Sequence, residues 1–359
     1  MIGILGGYGY VGIYGTRFLS KYSCQKLRIG GRNIDAVSSE IRQEFGDAEW
    51  CTVETNYRES LEKFAENCCC LLDCAKLTER ETALMDQIAE TKGIPVLHLG
   101  IKGFVRRNAN IPVLYGAGCL PGISGLLPQY LAKDFDRVHT LDFYYGGIGA
   151  FSYTAAKDYI EGLYDNGNRT MVCWKDGAVV PFCPSGNDVT AAIDASITEY
   201  KMFPYFDEEA SAITRILGLN EGRFQMCLAG KRTLEALNSA RFQYRQNPKE
   251  TVKKLCTASR LDMFGLKENS FYLCIMEGEK SGKSIKRFLK VSGLSPAKMT
   301  GYVAGASALC VAQGGASNGC MLLGESGLFE RVVNSLIEKE KDFVCNVRNW
   351  DDTEIEGEI

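Results

Sequence analysis

Histidine is scarce in this chain of 359 residues, with only 2 in all, which leaves few places for a metal centre or an imidazole base. An excess of either charge is also missing: Lys plus Arg number 41 against 44 for Asp plus Glu, a formal charge of -3. That balance argues against a broad positive field for nucleic acid or anionic lipid. No apolar run reaches the roughly 18 residues needed to span a bilayer. Met1 leads straight into Ile2-Gly3-Ile4-Leu5, with no basic n-region before the apolar residues. The expectation is a soluble, cytoplasmic protein whose partners include neither nucleic acid nor a membrane. No internal repeat is visible.

What is present is 45% hydrophobic residues, 38 glycines and 15 cysteines. The apolar content suffices for one large core or two ordinary ones. Cys68, Cys69 and Cys70 are consecutive in an apolar run ending at Cys74. Alternate side chains of a strand point to opposite faces, so this cluster cannot converge on one zinc ion. The cysteines are expected to be small buried hydrophobes in a reducing compartment, with no metal site.

Residues 1–118 alternate short apolar runs with helix-period stretches, the form of a parallel sheet covered by helices. Strands are expected at 2–5, 27–29, 50–53, 69–74, 95–99 and 113–115, and helices at 10–20, 35–45, 59–66 and 79–91. The first strand runs into Gly6-Gly7-Tyr8-Gly9-Tyr10-Val11-Gly12, in which Gly7, Gly9 and Gly12 have the G-x-G-x-x-G spacing. A strand before the motif and an amphipathic helix after it are what a dinucleotide fingerprint requires. Gly7 would allow the tight turn, Gly9 the approach of a pyrophosphate, and Gly12 close packing of helix on strand. Tyr8, Tyr10 and Val11 complete this cofactor-binding loop.

The end of the second strand distinguishes the cofactors. An NAD site places an acidic side chain there to hold the ribose 2′-hydroxyl. Here Gly30-Gly31-Arg32-Asn33 offers a guanidinium first, able to pair with a 2′-phosphate and stack on adenine. Asp35 falls later, in the first turn of the next helix. NADP(H) is therefore favoured over NAD(H), with Arg32 and Asn33 as cofactor contacts.

Gly116-Ala117-Gly118-Cys119-Leu120-Pro121-Gly122 follows the sixth strand. Pro121 suits the first position of a helix, and Gly118 is a further candidate cofactor contact. From residue 136 the pattern changes to strand pairs mixed with helices. A strand is expected at 138–145, a helix at 154–163, and a hairpin at 171–180 turning at Asp176-Gly177. Helices are expected at 208–217 and 249–259, and a second hairpin pairs 271–277 with 284–291. An apolar helix at 297–312 and another at 328–339 return the chain to the first domain. The expected fold is α/β: an N-terminal Rossmann domain with a doubly wound, mostly parallel sheet, then an α+β domain with a mainly antiparallel sheet. The expected boundaries are 1–120, 121–295, 296–345 for the returning helices, and an acidic tail at 346–359.

These motifs, in their order and spacing, resemble the saccharopine dehydrogenase-like family, in its saccharopine reductase and carboxynorspermidine dehydrogenase branch. The markers are the glycine motif, Gly31-Arg32-Asn33, Leu72-Asp73-Cys74-Ala75, Gly116-Ala117-Gly118 with Pro121-Gly122, Gly146-Gly147-Ile148-Gly149, Lys175-Asp176-Gly177 and Met276-Glu277-Gly278. Asp73 stands where the family commonly has Asn. The resemblance implies cofactor contacts at Cys74 and Ala75, a substrate cleft and homodimer interface in the second domain, and an amino-acid-derived small-molecule substrate. It further implies NAD(P)H-dependent hydride transfer to an imine carbon, giving a secondary amine, or the reverse reaction on a CH–NH bond.

Hydride transfer asks the protein to align the acceptor with the nicotinamide and to manage one proton. Two titratable groups border that position, Lys76 after the fourth strand and His98 at the end of the fifth. His98, with an ordinary pKa of about 6.5, is the better proton donor near neutrality; a half-buried structural histidine is the other reading. Tyr153, with Tyr144, Ser152 and Thr154, offers hydroxyls near the second domain's glycine turn. His139 reads as structural, and Arg223, Arg241 and Arg245 as either carboxylate clamps or surface charges. Reduction of an activated double bond, and dimeric cofactor binding without turnover, remain as alternatives.

Overall fold

The computed structural model describes residues 1–162, 169–183 and 200–350. The N-terminal third forms six strands: β1 (Ile2–Leu5), β2 (Leu27–Gly31), β3 (Glu49–Thr52), β4 (Cys70–Asp73), β5 (Val96–His98) and β6 (Pro112–Tyr115). Helices α1 (Gly12–Tyr22), α2 (Ser39–Glu44), α3 (Arg58–Ala65), α4 (Glu79–Lys92) and α5 (Ile123–Ala132) alternate with them. β1, β2, β4, β5 and β6 are buried at every residue, as strands covered on both faces should be. α4 starts with a capping box, in which Thr78 accepts from the Glu81 N–H and Glu81 accepts from the Thr78 N–H, and Gly93 ends it in the left-handed region. The helix expected at 35–45 divides into a 3₁₀ turn at Ile34–Ala36 and the short α2.

The middle of the chain carries β7 (Arg137–Ile148), α6 (Tyr153–Gly162), β8 (Arg169–Thr170), β9 (Val172–Lys175), β10 (Ala178–Pro181), β11 (Tyr200–Phe206), α7 (Glu208–Leu217) and β12 (Glu221–Ala229). α8 (Lys231–Gln243), α9 (Pro248–Asp262), β13 (Asn269–Lys280) and β14 (Lys283–Ser292) follow. β11, β12 and α8 were not foreseen; both hairpins were. Residue 163, the end of the helix expected there, lies outside the described residues. The chain then forms α10 (Pro296–Ala312), β15 (Gly319–Leu322), α11 (Phe329–Lys339) and β16 (Val344–Asn349).

The first sheet has the order β15-β6-β5-β4-β1-β2-β3, with every neighbouring pair parallel. It therefore has seven strands, one more than the six expected, because β15 adds to β6 after the chain has made the second sheet. The second sheet runs β10-β9-β12-β7-β13-β14-β16 with β11 and β8 attached, and is mostly antiparallel, with β12 and β7 parallel. The Rossmann-type sheet, the mainly antiparallel second sheet and the returning helices agree with the expected fold class.

Two compact units result. One comprises Met1–Leu126 and Ala297–Glu340; the other comprises Leu127–Pro296 and the chain from Lys341. β16 pairs with β14 from Val344 to Asn349, so a solvated tail does not begin at 346; the acidic residues 351–359 lie outside the described residues. Among the described residues, no helix is long and apolar enough to cross a membrane.

Within the first unit α1 and α10 approach at backbone distance. A Cβ on Gly301 would lie 2.5 Å from Tyr14 Cβ and 2.6 Å from Val11 O, and one on Gly305 would lie 2.9 Å from Phe18 Cβ. Gly15 faces the same seam, where a Cβ would lie 3.1 Å from Gly301 O. The helix that follows the glycine motif is thus supported by the helix that returns near the C-terminus.

Candidate cofactor site

At the carboxyl edge of the first sheet, β1 turns into α1 through the glycine motif. Gly6, at φ 73°, makes the left-handed turn, which corrects the expectation that Gly7 would. Gly7 is required for another reason: a Cβ there would lie 2.7 Å from Thr16 Oγ1 and 2.9 Å from Ile4 Cγ2. Thr16 donates to Gly7 O at 2.7 Å and fixes the loop from below. A Cβ on Gly12 would overlap Gly6 O, so the close helix–strand packing expected of Gly12 is present. Gly9 meets only Gly6 O, at 3.2 Å, so the space beyond Gly9 suits a pyrophosphate. The first turn of α1 contains no acidic residue and Val11 supplies no side-chain cap. The Ile13 and Tyr14 N–H groups donate to Gly9 O and Val11 O, and the dipole of the helix favours an anion at this end, so the residues present fit a dinucleotide.

Beside this loop, Tyr8 lies over Gly31, whose absent Cβ would fall 2.6 Å from Tyr8 Cε1. Tyr8 Oη accepts from the Asn33 N–H at 3.3 Å, and the ring sits 6.3 Å from that of Trp50. Arg32 is exposed at the end of β2. Burial pushes the Glu81 carboxyl up; hydrogen bonds from Thr55 and Thr78, with the Arg32 charge nearby, outweigh that and hold it below its ordinary value. Asp35 sits in the 3₁₀ turn after β2, almost fully exposed and 3.8 Å from Arg42.

The turn after β4 closes the other side. Asp73 pairs in register with Leu5, and Cys74 N–H donates to Leu5 O at 2.8 Å. Cys74 and Ala75 press against the glycine loop: a Cβ on Gly6 would lie 3.0 Å from Ala75 N, and one on Gly12 would lie 3.0 Å from Cys74 Cβ. Lys76 follows, exposed, in the same turn.

His98 is 2% exposed, and both of its ring nitrogens face carboxylates. Nδ1 lies 2.9 Å from Asp73 Oδ2 and Nε2 lies 2.9 Å from Asp86 Oδ1. Tyr115 Oη donates to Asp86 Oδ2 at 2.8 Å, and its ring packs 4.7 Å from the imidazole. Burial alone would lower the His98 pKa, but the hydrogen bonds to Asp73 and Asp86 and their charges outweigh it and raise it to about 9. With both nitrogens engaged, His98 has no N–H left to direct at a substrate, which removes the ground for treating it as the proton donor.

After β6, Ala117 N–H donates to His98 O at 2.8 Å and Gly116 N–H to Gly100 O at 3.0 Å. The Leu120–Pro121 peptide is cis and α5 begins at Ile123, so Pro121 lies in the loop and does not open the helix as expected. Gly118 sits against α10, where a Cβ would meet Thr300 Cγ2 at 3.0 Å. Thr300 Oγ1 donates to Cys119 Sγ at 3.0 Å.

The other candidates belong to the second unit. Tyr153 is exposed in the first turn of α6, where the Ser152 hydroxyl accepts from the Ala155 N–H at 3.2 Å. Thr154 is exposed beside it, and Tyr144 is buried in the second sheet. Gly147 and Gly149 line a small concavity with Phe151, Met263 and Leu266. His139 pairs with Glu279 at 3.0 Å. Arg223 donates to Asp142 Oδ2 at 2.8 Å, which commits it within the sheet; Arg245 is exposed, and the Arg241 side chain lies outside the described residues. The cofactor candidates of the first unit are therefore brought to one sheet edge, with Lys76 and His98 in the same unit and Tyr153 in the other. The sequence reading missed Asp86, Tyr115 and Thr300.

No family model matches the chain, and no curated protein matches it in sequence. Solved structures do match over nearly its full length. Saccharopine dehydrogenase (L-Glu forming) from Saccharomyces cerevisiae, in its apo form, matches with a TM-score of 0.64 at 12% identity, covering 97% of this chain and 99% of that one. Homospermidine synthase from Legionella pneumophila, in complex with NAD, matches with a TM-score of 0.54 at 11% identity, covering 97% and 91%. At such identities the likeness concerns architecture, and chemistry has to be argued from the residues. From the glycine loop of its parallel sheet to the mixed second sheet and the returning helices, the chain has the saccharopine dehydrogenase-like fold.

Proposed function

We propose that the protein is an NADP(H)-dependent oxidoreductase that transfers hydride to the imine carbon of a small amino-acid-derived substrate, forming a secondary amine. The observation that carries this reading is the glycine loop: an uncapped helix start with no acidic residue, at the carboxyl edge of a parallel sheet, in a chain with the fold of a saccharopine dehydrogenase. The cofactor, when bound, supplies the hydride. The open space at Gly9 and the positive end of α1 would hold its pyrophosphate, Tyr8 would line the space above Gly31, and Arg32 would pair with the 2′-phosphate. Arg32 is what supports NADP(H) here, although the homospermidine synthase of similar fold was solved with NAD. Lys76 and Tyr153 are the candidates for handling the proton, Lys76 from the turn that adjoins the glycine loop.

The test is loss of NADPH absorbance with an aldehyde and an amino acid supplied together and separately. Oxidation that needs both supports imine reduction. Oxidation by an unsaturated thioester alone would replace that substrate class, and binding without oxidation across a broad panel would overturn the enzymatic reading.

A further inference from the structure

We infer that His98 is a positioning residue for the dinucleotide: by pinning the Asp73 carboxylate it holds the 73–76 turn against the glycine loop. The inference rests on the cofactor reading above. Asp73 carries out two tasks with its two oxygens. Oδ1 accepts from the Ala75 N–H at 2.9 Å, which shapes the turn, and Oδ2 lies 2.9 Å from His98 Nδ1. The turn lies so near the loop that a Cβ on Gly6 would fall 3.0 Å from Ala75 N and one on Gly12 3.0 Å from Cys74 Cβ, and the Cys74 N–H donates to Leu5 O at 2.8 Å, so a shift of the turn is passed to the strand end that carries the loop. His98 is itself fixed from its backbone, where its carbonyl accepts from Ala117 N–H at 2.8 Å. Three strand ends, those of β4, β5 and β6, are joined through one histidine, by its ring to Asp73 and by its carbonyl to Ala117.

The charges facing this group come from every side. Asp73 approaches from β4, Asp86 from α4 and Tyr115 from β6. Arg107 stands 3.8 Å from Asp86 and is paired with Glu90, and Cys320 on β15 lies close enough to feel the Asp86 charge. Buried between two carboxylates, the ring satisfies both only as an imidazolium, donating from each nitrogen. A neutral ring turns a lone pair toward one of them. Loss of the proton above about pH 9 therefore removes one of the two imidazole donors, and a ring that keeps its N–H on Nε2, facing Asp86, releases Asp73 Oδ2 and loosens the turn.

The experiment measures NADPH dissociation constants by fluorescence between about pH 7.5 and 10, with nitrogen-15 imidazole spectra to read the protonation of His98. Only 2 histidines have to be told apart in those spectra. In the wild type, affinity is expected to fall several-fold as the ring deprotonates. His98→Gln is expected to bind about five-fold or more weakly near neutrality and to show no alkaline fall, since one well-made charged hydrogen bond has been lost. Asp86→Asn can accept from Tyr115 and donate to a neutral His98, whose Nδ1–H still serves Asp73. It should bind near the wild-type value and stay flat to about pH 10. Thermal midpoints report whether each variant is folded; should His98→Gln fail to fold, the contrast between wild type and Asp86→Asn still decides. Wild-type affinity in folded His98→Gln, or an alkaline fall that Asp86→Asn retains, would overturn the positioning role while leaving the cofactor reading standing. Failure of the wild type to bind either NADPH or NADH would overturn both.

Discussion

In the proposed cofactor site, specificity rests on single side chains, and they differ in how visible they are from sequence. Arg32 is visible because its position follows from the end of β2. A guanidinium that meets the 2′-phosphate makes charge-assisted hydrogen bonds worth roughly 1.5–3 kcal/mol. Arg32→Ala is expected to weaken NADPH binding by about ten-fold or more while changing NADH affinity less than about two-fold, read by titrating both cofactors. Equal losses would show that Arg32 does not serve the phosphate. Histidine scarcity singled out His98, but not its surroundings. Asp73 and Asp86 reach it from 25 and 12 residues away, and nothing in a hydropathy pattern marks an aspartate as buried. A neutral-pH proton donor was the natural expectation for an exposed ring, and the two carboxylates are what change that role.

At the scale of elements, β1, β2, β4, β5 and β6 were legible because they are covered on both faces and read as apolar runs, whereas β15, which joins the sheet from far along the chain, was not. The second sheet was read in part. β12 alternates Glu221, Arg223 and Gln225 with Phe224 and Met226, a period-2 signal that was present in the sequence and was passed over because charged residues interrupt the apolar run. β11 contains Pro204, which argues against a strand in sequence. α8 has no local start signal, because its cap comes from Asp262, which accepts from the Thr233 N–H at 2.7 Å across the chain. The seam between α1 and α10 yields a prediction. Gly301→Ala would place a methyl against Tyr14 and the Val11 carbonyl, and overpacking of this kind costs about 1–3 kcal/mol. Urea unfolding should show that loss of stability, and because Val11 borders the glycine loop, NADPH affinity should fall with it. A variant as stable as the wild type would mean that the helices can separate freely.

For the molecule as a whole, connectivity matters more than any one contact. The first unit is built from two stretches of chain separated by most of the second unit, and β15 reaches β6 only after that excursion. A protein ending at residue 340 lacks only β16 among the described elements, the outer partner of β14. Dinucleotide binding is expected to stay within about two-fold, because the glycine loop, α10 and β15 are retained. A protein ending at residue 296 lacks α10, β15, α11 and β16, and is expected to give no binding and little soluble product; cofactor titration and expression of the two forms check this. Preserved binding in the shorter form would show that the returning helices are dispensable. The same connectivity has a consequence during synthesis. The glycine loop leaves the ribosome about 300 residues before the strand that completes its sheet, β15. At about 5–20 residues per second, the open edge of β6 waits roughly ten seconds or more for its partner. Over that interval β6 is an unpaired sheet edge open to mispairing, so chaperone demand is expected there.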